Sequence, residues 1–388
     1  MKIELPKYVL DCICTLKSNG YEAFCVGGAV RDLLLGIKPF DYDITTSAPP
    51  EKVMELFPKN IPTGLKHGTV TVVTDWGNIE VTTYRVDGEY TDSRHPKIVS
   101  FTDDIQGDLS RRDFTVNAIA FDGKNFASVD GSFDDLENKI IRAVGDPEKR
   151  FCEDALRIMR CFRFSAQLGF EIEEKTLKAA LKYKSSLDFI SAERIAEELK
   201  KTLTSNAPHK ANPLFLSGML ECVGINSGEL PNWFSQLPKN TGIRLGSAFY
   251  LLNCDPLAVS FALKLSNKLT DQIFFTQELL GEKEEFTRSK IKKILGVIDA
   301  DYLKEIFKAR EVFFGDDATG LSALTDDIIT SCEPYTLKML AIKGDDLKTL
   351  GYSGADIGKQ LKKLLDMVIE NPNLNSKETL TDILKSDN

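Results

Sequence analysis

The chain reads as an α+β protein, with its strands gathered into the first 145 residues and helices filling the remainder. Three observations carry that reading. The β-branched runs Thr69-Val70-Thr71-Val72-Val73 and Ile79-Glu80-Val81-Thr82-Thr83-Tyr84, parted by Asp75-Trp76-Gly77-Asn78, form a hairpin signal. From Asp146-Pro147 onward such runs stop, and apolar residues recur at helical spacing almost to the end. A length of 388 residues exceeds what one simple core serves, so two or three domains are expected.

In chain order, residues 6–19 form an opening helix, with Val9, Leu10, Ile13 and Leu16 on one face and Gly20 as its stop. A short strand at 22–26 runs into Gly27-Gly28. Val30, Leu33, Leu34 and Leu35 then give the next helix its apolar face, and Pro39 hands over to a strand at 41–44. A second short helix at 51–57 precedes the hairpin. Residues 85–96 are charged, contain Gly88 and Pro96, and lack periodicity, which marks a long functional loop. A polar segment at 107–118 runs straight into Ile119, Ala120 and Phe121.

Past residue 146, one helix carries Glu153, Asp154, Arg157, Arg160 and Arg163 beside the apolar face of Leu156, Met159, Phe162 and Phe164. Residues 191–203 form another, with Ser191 as N-cap and Arg194, Glu197 and Glu198 on its polar side. Further helix cores lie at 215–223, 248–252, 257–265, 291–298 and 302–314. The folded chain closes at 343–373 with two helices around Gly351-Tyr352-Ser353-Gly354.

The totals exclude several functions. A net charge of −9 argues against indiscriminate coating of nucleic acid. No apolar run approaches the roughly 20 residues that span a bilayer, and the start lacks a secretory pattern, so a membrane role is not expected. Eight scattered cysteines match neither a zinc pattern nor a disulfide framework, which points to reduced thiols in the cytoplasm. None of the three histidines adjoins an aspartate, which excludes a phosphohydrolase built on His-Asp metal pairs.

The chemistry concentrates around Asp41-Tyr42-Asp43. On a strand the two carboxylates point the same way, with Cα atoms roughly 6.6 Å apart. So placed they can share divalent cations, oxygen-only ligands favour Mg²⁺, and paired metals drive in-line nucleotidyl displacement. The glycine pair upstream brings backbone N–H groups to a triphosphate. Glu80 is either an edge charge or a third carboxylate beside Asp41 and Asp43. Arg111 and Arg112 are either a surface ion-pair set or bidentate partners for phosphate. Asp154 and Arg157, with Glu153, are neighbours at helical spacing: either a solvated face or an acceptor beside a donor that reads a base edge.

Gly27-Gly28-Ala29-Val30-Arg31-Asp32, Asp41-Tyr42-Asp43, Arg111-Arg112-Asp113-Phe114-Thr115-Val116-Asn117-Ala118 and Glu153-Asp154-Ala155-Leu156-Arg157 occur in that order. This set resembles the bacterial-type (class II) tRNA nucleotidyltransferases, the CCA-adding enzymes, and their relatives the bacterial poly(A) polymerases. The resemblance covers residues 20–205 and continues more weakly through Gly344-Asp345-Asp346-Leu347 and Leu350-Gly351, with Ala355 where relatives carry proline.

The resemblance implies a polymerase-beta-like nucleotidyltransferase head on a mixed five-stranded sheet at 1–145. A helical neck with the nucleobase template at 146–206 and a helical body and tail for tRNA at 207–388 would follow. It implies that Asp41 and Asp43 hold two Mg²⁺; Glu80, from its place on the strand, is expected to join them as a third catalytic carboxylate. Gly28, Arg31 and Arg112 would meet the triphosphate and sugar. Asp154 and Arg157 would read the base, with Arg160 and Arg163 in support.

The expected activity is addition of CCA to tRNA from CTP and ATP, with no obligate protein partner. The intact loop at 85–96 favours full CCA or A-only addition over CC-only addition. The acidic charge disfavours a poly(A) polymerase, and the intact Asp41/Asp43 pair disfavours a catalytically silent RNA-binding module.

Overall fold

A computed structural model of the chain describes residues 3–87 and 99–386. The opening helix α1 (Lys7–Ser18) buries Val9, Cys12, Ile13 and Leu16, as its spacing requires. It leads into strand β1 (Ala23–Val26), helix α2 (Gly28–Leu34) and strand β2 (Asp43–Thr46). Helix α3 (Pro50–Leu56) begins on a proline at its first position, where no N–H is missed. Strands β3 (Asn60–Gly64), β4 (Thr69–Thr74) and β5 (Gly77–Thr83) follow. A short pair, β6 (Arg85–Asp87) with β7 (Val99–Phe101), comes next. The functional loop expected at 85–96 therefore begins in β6, and the rest of it lies outside the described residues. Helix α4 (Ile105–Ser110), strands β8 (Ile119–Phe121) and β9 (Phe126–Ser128) and helix α5 (Ser132–Glu137) complete this part of the chain.

The sheet is mixed and has seven strands in the order β3-β4-β5-β2-β1-β8-β9, where five were expected. The two additional strands, β3 and β9, are its edges. Pro62 within β3 and the three-residue length of β9 erase the usual strand signal, and both features suit edge positions. The expected hairpin is β4-β5, paired from Thr69↔Thr82 to Thr74↔Gly77. Between β2 and β5 the pairing is parallel; β1 runs antiparallel to β2 and to β8. Strand pairing also persists beyond residue 146, as the two-residue parallel pair β10 (Ile140–Ile141) and β11 (Glu171–Ile172).

Past the head, the expected single helix at Glu153–Arg163 is two: α6 (Pro147–Glu153) and α7 (Leu156–Leu168). Asp154 breaks it. Its backbone is extended (φ −144°, ψ 106°), and its side chain accepts a hydrogen bond from Leu156 N at 3.0 Å. Aspartate offers the backbone this alternative to a helical bond. Helix α7 is buried around most of its circumference, α8 (Glu174–Lys182) packs against α6, and α9 (Ala192–Leu203) packs against α7. Ser191 stands at the N-cap of α9 as expected, without a side-chain capping bond.

The chain divides into two units, 1–235 with 251–265 and 236–250 with 266–388. In the second, Gly246 faces Thr276, where an added Cβ would lie 2.6 Å from the threonine Cβ; only glycine permits so close a helix crossing. Arg244 is fully buried there and donates to the Leu237 and Pro238 carbonyls at 2.6 and 3.0 Å. Helices at Asn267–Gly281 and Ala318–Thr330 join those expected from the sequence. Leu340, Ile342, Leu347, Leu364, Val368, Leu380 and Leu384 form a separate small core at the C-terminal end of this unit. Among the described residues, no helix is long and apolar enough to cross a membrane.

Candidate active site

Strand β1 delivers the chain to Gly27, whose φ of +75° lies in the left-handed region. A Cβ at Gly27 would stand 3.2 Å from Arg112 Nη1, so the glycine serves both the turn and the approach of that arginine. Gly28 opens α2 with its Cα facing Arg31 Nη2.

Strand β2 begins at Asp43, so Asp41 and Tyr42 precede it, yet the alternation expected of a strand persists. Asp41 and Asp43 are exposed and Tyr42 is buried, with its ring edge-on to Tyr8 at 6.0 Å. In the parallel ladder Asp43 lies opposite Glu80, which is also exposed. Partial burial, then the charges of Asp41 and Glu80, against the opposing charge of Arg112, push the Asp43 carboxyl up to about 6. The three acids thus share one electrostatic neighbourhood. Among the described residues, no three acidic, histidine or cysteine side chains close into a single-ion cage.

The arginines behave differently. Arg31 is buried; Nη1 donates to Asn117 Oδ1 at 2.5 Å, while Nε and Nη2 both reach Asp32 Oδ1. Arg111 and Arg112 converge on Asp108, which is completely buried. Its Oδ1 accepts from Arg111 at 2.7 Å, and its Oδ2 accepts from Arg112 and from Thr45 Oγ1 at 3.2 Å each. Burial raises the Asp108 carboxyl, but the two guanidiniums overcome it and hold it below its ordinary value.

Arg160 pairs with Asp113 Oδ2 at 2.6–2.7 Å; Asp113 Oδ1 accepts from Phe114 N and Asn117 Nδ2. Burial raises that carboxyl too, yet Arg160, Asn117 and the Phe114 N–H bring it down to about 2. Arg163 pairs with Glu198 at 2.6 Å, and Glu198 is buried rather than on the polar side of its helix. Arg157 donates to Glu153 Oε2 at 2.6 Å, to the Arg150 carbonyl at 3.1 Å and to the Arg111 carbonyl at 3.0 Å. Asp154 accepts from Arg194 Nη2 at 3.4 Å through its second oxygen.

Arg157 N donates to the Asp154 carbonyl at 3.0 Å, but the two side chains take other partners. They meet instead on the wall of a cavity of about 260 Å³, lined also by Arg111, Arg112, Asp113, Leu156, Arg160 and Arg194. Arg112 connects this cavity to the carboxylate face through its attraction for Asp43. A hollow of about 540 Å³ lined by Tyr8, Phe57 and Trp76 is larger, but no arginine lines it.

Of the residues expected to bind nucleotide, Arg112, Asp154, Arg157 and Arg160 share the cavity. Arg31 and Arg163 stand behind it around Phe164, and Gly28 stands beside Arg31. Sequence reasoning does not find the anchors Asp108, Asn117 and Glu198 or the lining role of Arg194. Asp108 precedes Arg111 and Arg112 by three and four residues, the spacing of helical neighbours, so for that anchor a signal is present. The other anchors come from distant segments and leave none.

Residues 23–142 match the poly A polymerase head domain, and residues 169–221 match a probable RNA and SrmB-binding site of polymerase A. The CCA-adding enzyme of Geobacillus sp. (strain WCH70) is 37% identical over 376 residues, covering 93% of this chain and 91% of the relative. That of Staphylococcus aureus (strain MRSA252) is 34% identical, covering 91% and 90%. The crystal structure of the Bacillus stearothermophilus CCA-adding enzyme in complex with CTP superposes with a TM-score of 0.85 at 31% identity, over 97% of both chains. With relatives this similar along nearly its whole length, the chain belongs to the CCA-adding enzyme family of nucleotidyltransferases.

Proposed function

We propose that this protein adds CCA to the 3′ end of tRNA from CTP and ATP without a nucleic-acid template. The observation that carries the reading is the cavity that brings Asp154, Arg157, Arg160 and Arg112 together, with Arg112 close enough to attract the Asp43 carboxylate as well. One site thus offers a base reader, phosphate-binding cations and metal-binding acids.

Asp41 and Asp43 are the residues to hold divalent cations, with Glu80 on the adjoining strand in support. Their chemistry fits a cation, because the donors are all oxygens, which suits Mg²⁺, and the neighbouring acids that, after burial, raise Asp43 present the repulsion that a cation relieves. Bound there, the metal supplies Lewis-acid stabilisation and a more acidic 3′-hydroxyl. Arg112 and Arg31, with Gly28 beside them, meet the triphosphate, since guanidinium forks match phosphate oxygens. Arg160 and Arg163 add positive charge from behind, each kept in place by its own carboxylate.

Asp154 accepts the exocyclic amino group that cytosine and adenine share, and Arg157 serves their ring acceptors. Uracil and guanine present a carbonyl to Asp154 instead, and leaving two acceptors opposed costs about 1–3 kcal/mol. The Arg194 contact to Asp154 is long at 3.4 Å, so an incoming base displaces it readily; Arg157 is the more tightly held member. In this reading the head is 1–145, the neck with its template 146–206, and the body and tail at 207–388 hold tRNA. None of the eight cysteines, all among the described residues, forms a disulfide, which favours a reducing cytoplasm as the working compartment.

The test uses one tRNA trimmed to three ends: lacking CCA, ending in C, and ending in CC. Addition of CC and then a single A, confined to tRNA, is the expected result. Addition of A only to the CC end would make the protein an A-adding enzyme. The match to a poly A polymerase head supports a second reading, and long A tails on an unstructured oligonucleotide would establish it.

A further inference from the structure

Three arginines, one from α2 and two from α7, meet at one aromatic ring. The guanidinium carbons of Arg31, Arg160 and Arg163 lie 5.3, 5.2 and 4.1 Å from the ring centre of Phe164. The ring is buried and is held edge-on by Phe114 at 5.8 Å. Arg31 comes from α2, and Arg160 and Arg163 from α7, so the ring joins the glycine-pair segment to the first long helix after the head.

Cations so close repel one another. Burial and then the charge of Arg160, with Arg31 contributing, hold Arg163 below its ordinary value against the opposing pull of Glu198 and Asp113. Each guanidinium already has an acid of its own: Asp32, Asp113 and Glu198. A further carboxylate at position 164 would quiet the repulsion, but it would take up N–H donors and cancel positive charge. An aromatic face attracts a cation through its quadrupole and does neither.

We propose that Phe164 is a positioning residue whose ring holds Arg31, Arg160 and Arg163 together for the nucleotide's triphosphate without adding a further negative charge to them. The proposal rests on the reading of these arginines as nucleotide contacts. It assigns to the ring's electronic character, and not to its bulk alone, a share of nucleotide affinity.

The decisive experiment replaces Phe164 with phenylalanines carrying one, two and three ring fluorines, which weaken the quadrupole stepwise at nearly constant shape. Equilibrium binding of CTP to the full chain without RNA is then measured. A Kd that rises progressively, by about tenfold across the series, is the expected result. Phe164→Leu is expected to raise KM for CTP and ATP alike by about tenfold, more than it lowers kcat, with Phe164→Tyr restoring most of the loss. A Kd that does not move along the fluorinated series overturns the proposal, even if Phe164→Leu is impaired, because the leucine defect is then one of packing. Binding is read without RNA. A protein that shows the fluorine trend but adds nothing to trimmed tRNA would therefore overturn the activity reading and leave this inference standing.

Discussion

The carboxylate face and the arginine cavity handle charge in opposite ways. On the face, Asp41 and Asp43 at the start of β2 and Glu80 midway along β5 bring like charges together, and partial burial followed by that crowding raises Asp43 to about 6. In the cavity and behind it each cation is matched: Arg112 with Asp108, Arg157 with Glu153, Arg160 with Asp113, Arg163 with Glu198. The difference separates two roles. In the proposed function, the like charges of the face are what a bound cation would relieve. The cavity's charges are already paired within the protein, and in the proposed function its arginines would meet an anion without reorganising. Changes at the face should therefore cost turnover and spare the fold, whereas changes behind the cavity should cost both.

The largest expected effect lies on the face. Asp41→Ala or Asp43→Ala should lower the rate of CC addition by about 10³-fold or more, while the thermal midpoint holds or rises as repulsion is relieved. A large fall in the midpoint would break the contrast. Glu80→Gln should lower turnover by about 10²-fold with the same unchanged midpoint; near-normal turnover would return Glu80 to an edge charge.

The cavity should behave in the opposite sense. Asp113→Ala leaves Arg160 without its carboxylate, and denaturant unfolding should show a loss of about 3 kcal/mol. The same pair sets an acid limit. The Asp113 carboxyl is lowered in the fold from 3.8 to about 2, so its stabilising contribution is complete above about pH 4 and disappears as pH falls towards 2. The loss amounts to about 2 kcal/mol, and it should be absent in Asp113→Asn when unfolding is followed between pH 5 and 2.

The smallest effect concerns selectivity. Asp154→Ala should raise UTP incorporation relative to CTP by about tenfold to a hundredfold, because the acceptor that rejects uracil is gone. Unchanged discrimination would remove Asp154 from the template.

How much of this is legible in the sequence varies with the kind of signal. The hairpin of β4 and β5 shows itself in β-branched runs, and β3 and β9 do not because edge strands tolerate Pro62 and three-residue lengths. The stripe of Arg157, Arg160 and Arg163 is open to a solvated reading, since spacing alone does not distinguish an exposed charge from one that meets a carboxylate across a crevice. Arg157 and Arg163 prove buried. The break at Asp154 escapes notice for a related reason: helical spacing continues through Glu153–Arg163, and only the side-chain bond to Leu156 N interrupts it.

By itself the sequence determined what backbone periodicity determines. Asp41 and Asp43 share a face around buried Tyr42 because extended chains alternate, and Gly27 turns the chain because only glycine accepts that φ without strain. The order of the motifs along the chain also marked the family. Tertiary structure alone decided which distant groups answer one another, whereas Arg112 with Asp108 and Arg157 with Glu153 are neighbours at helical spacing. Arg160 finds Asp113 from 47 residues away, Arg31 finds Asn117 from 86, and Arg31 comes from α2 to the ring of Phe164, which helical spacing already sets beside Arg160. Such pairings depend on how buried surfaces meet after the chain has collapsed. An ion pair at that range has no period to read, and its value comes from the desolvated surroundings that the finished fold supplies.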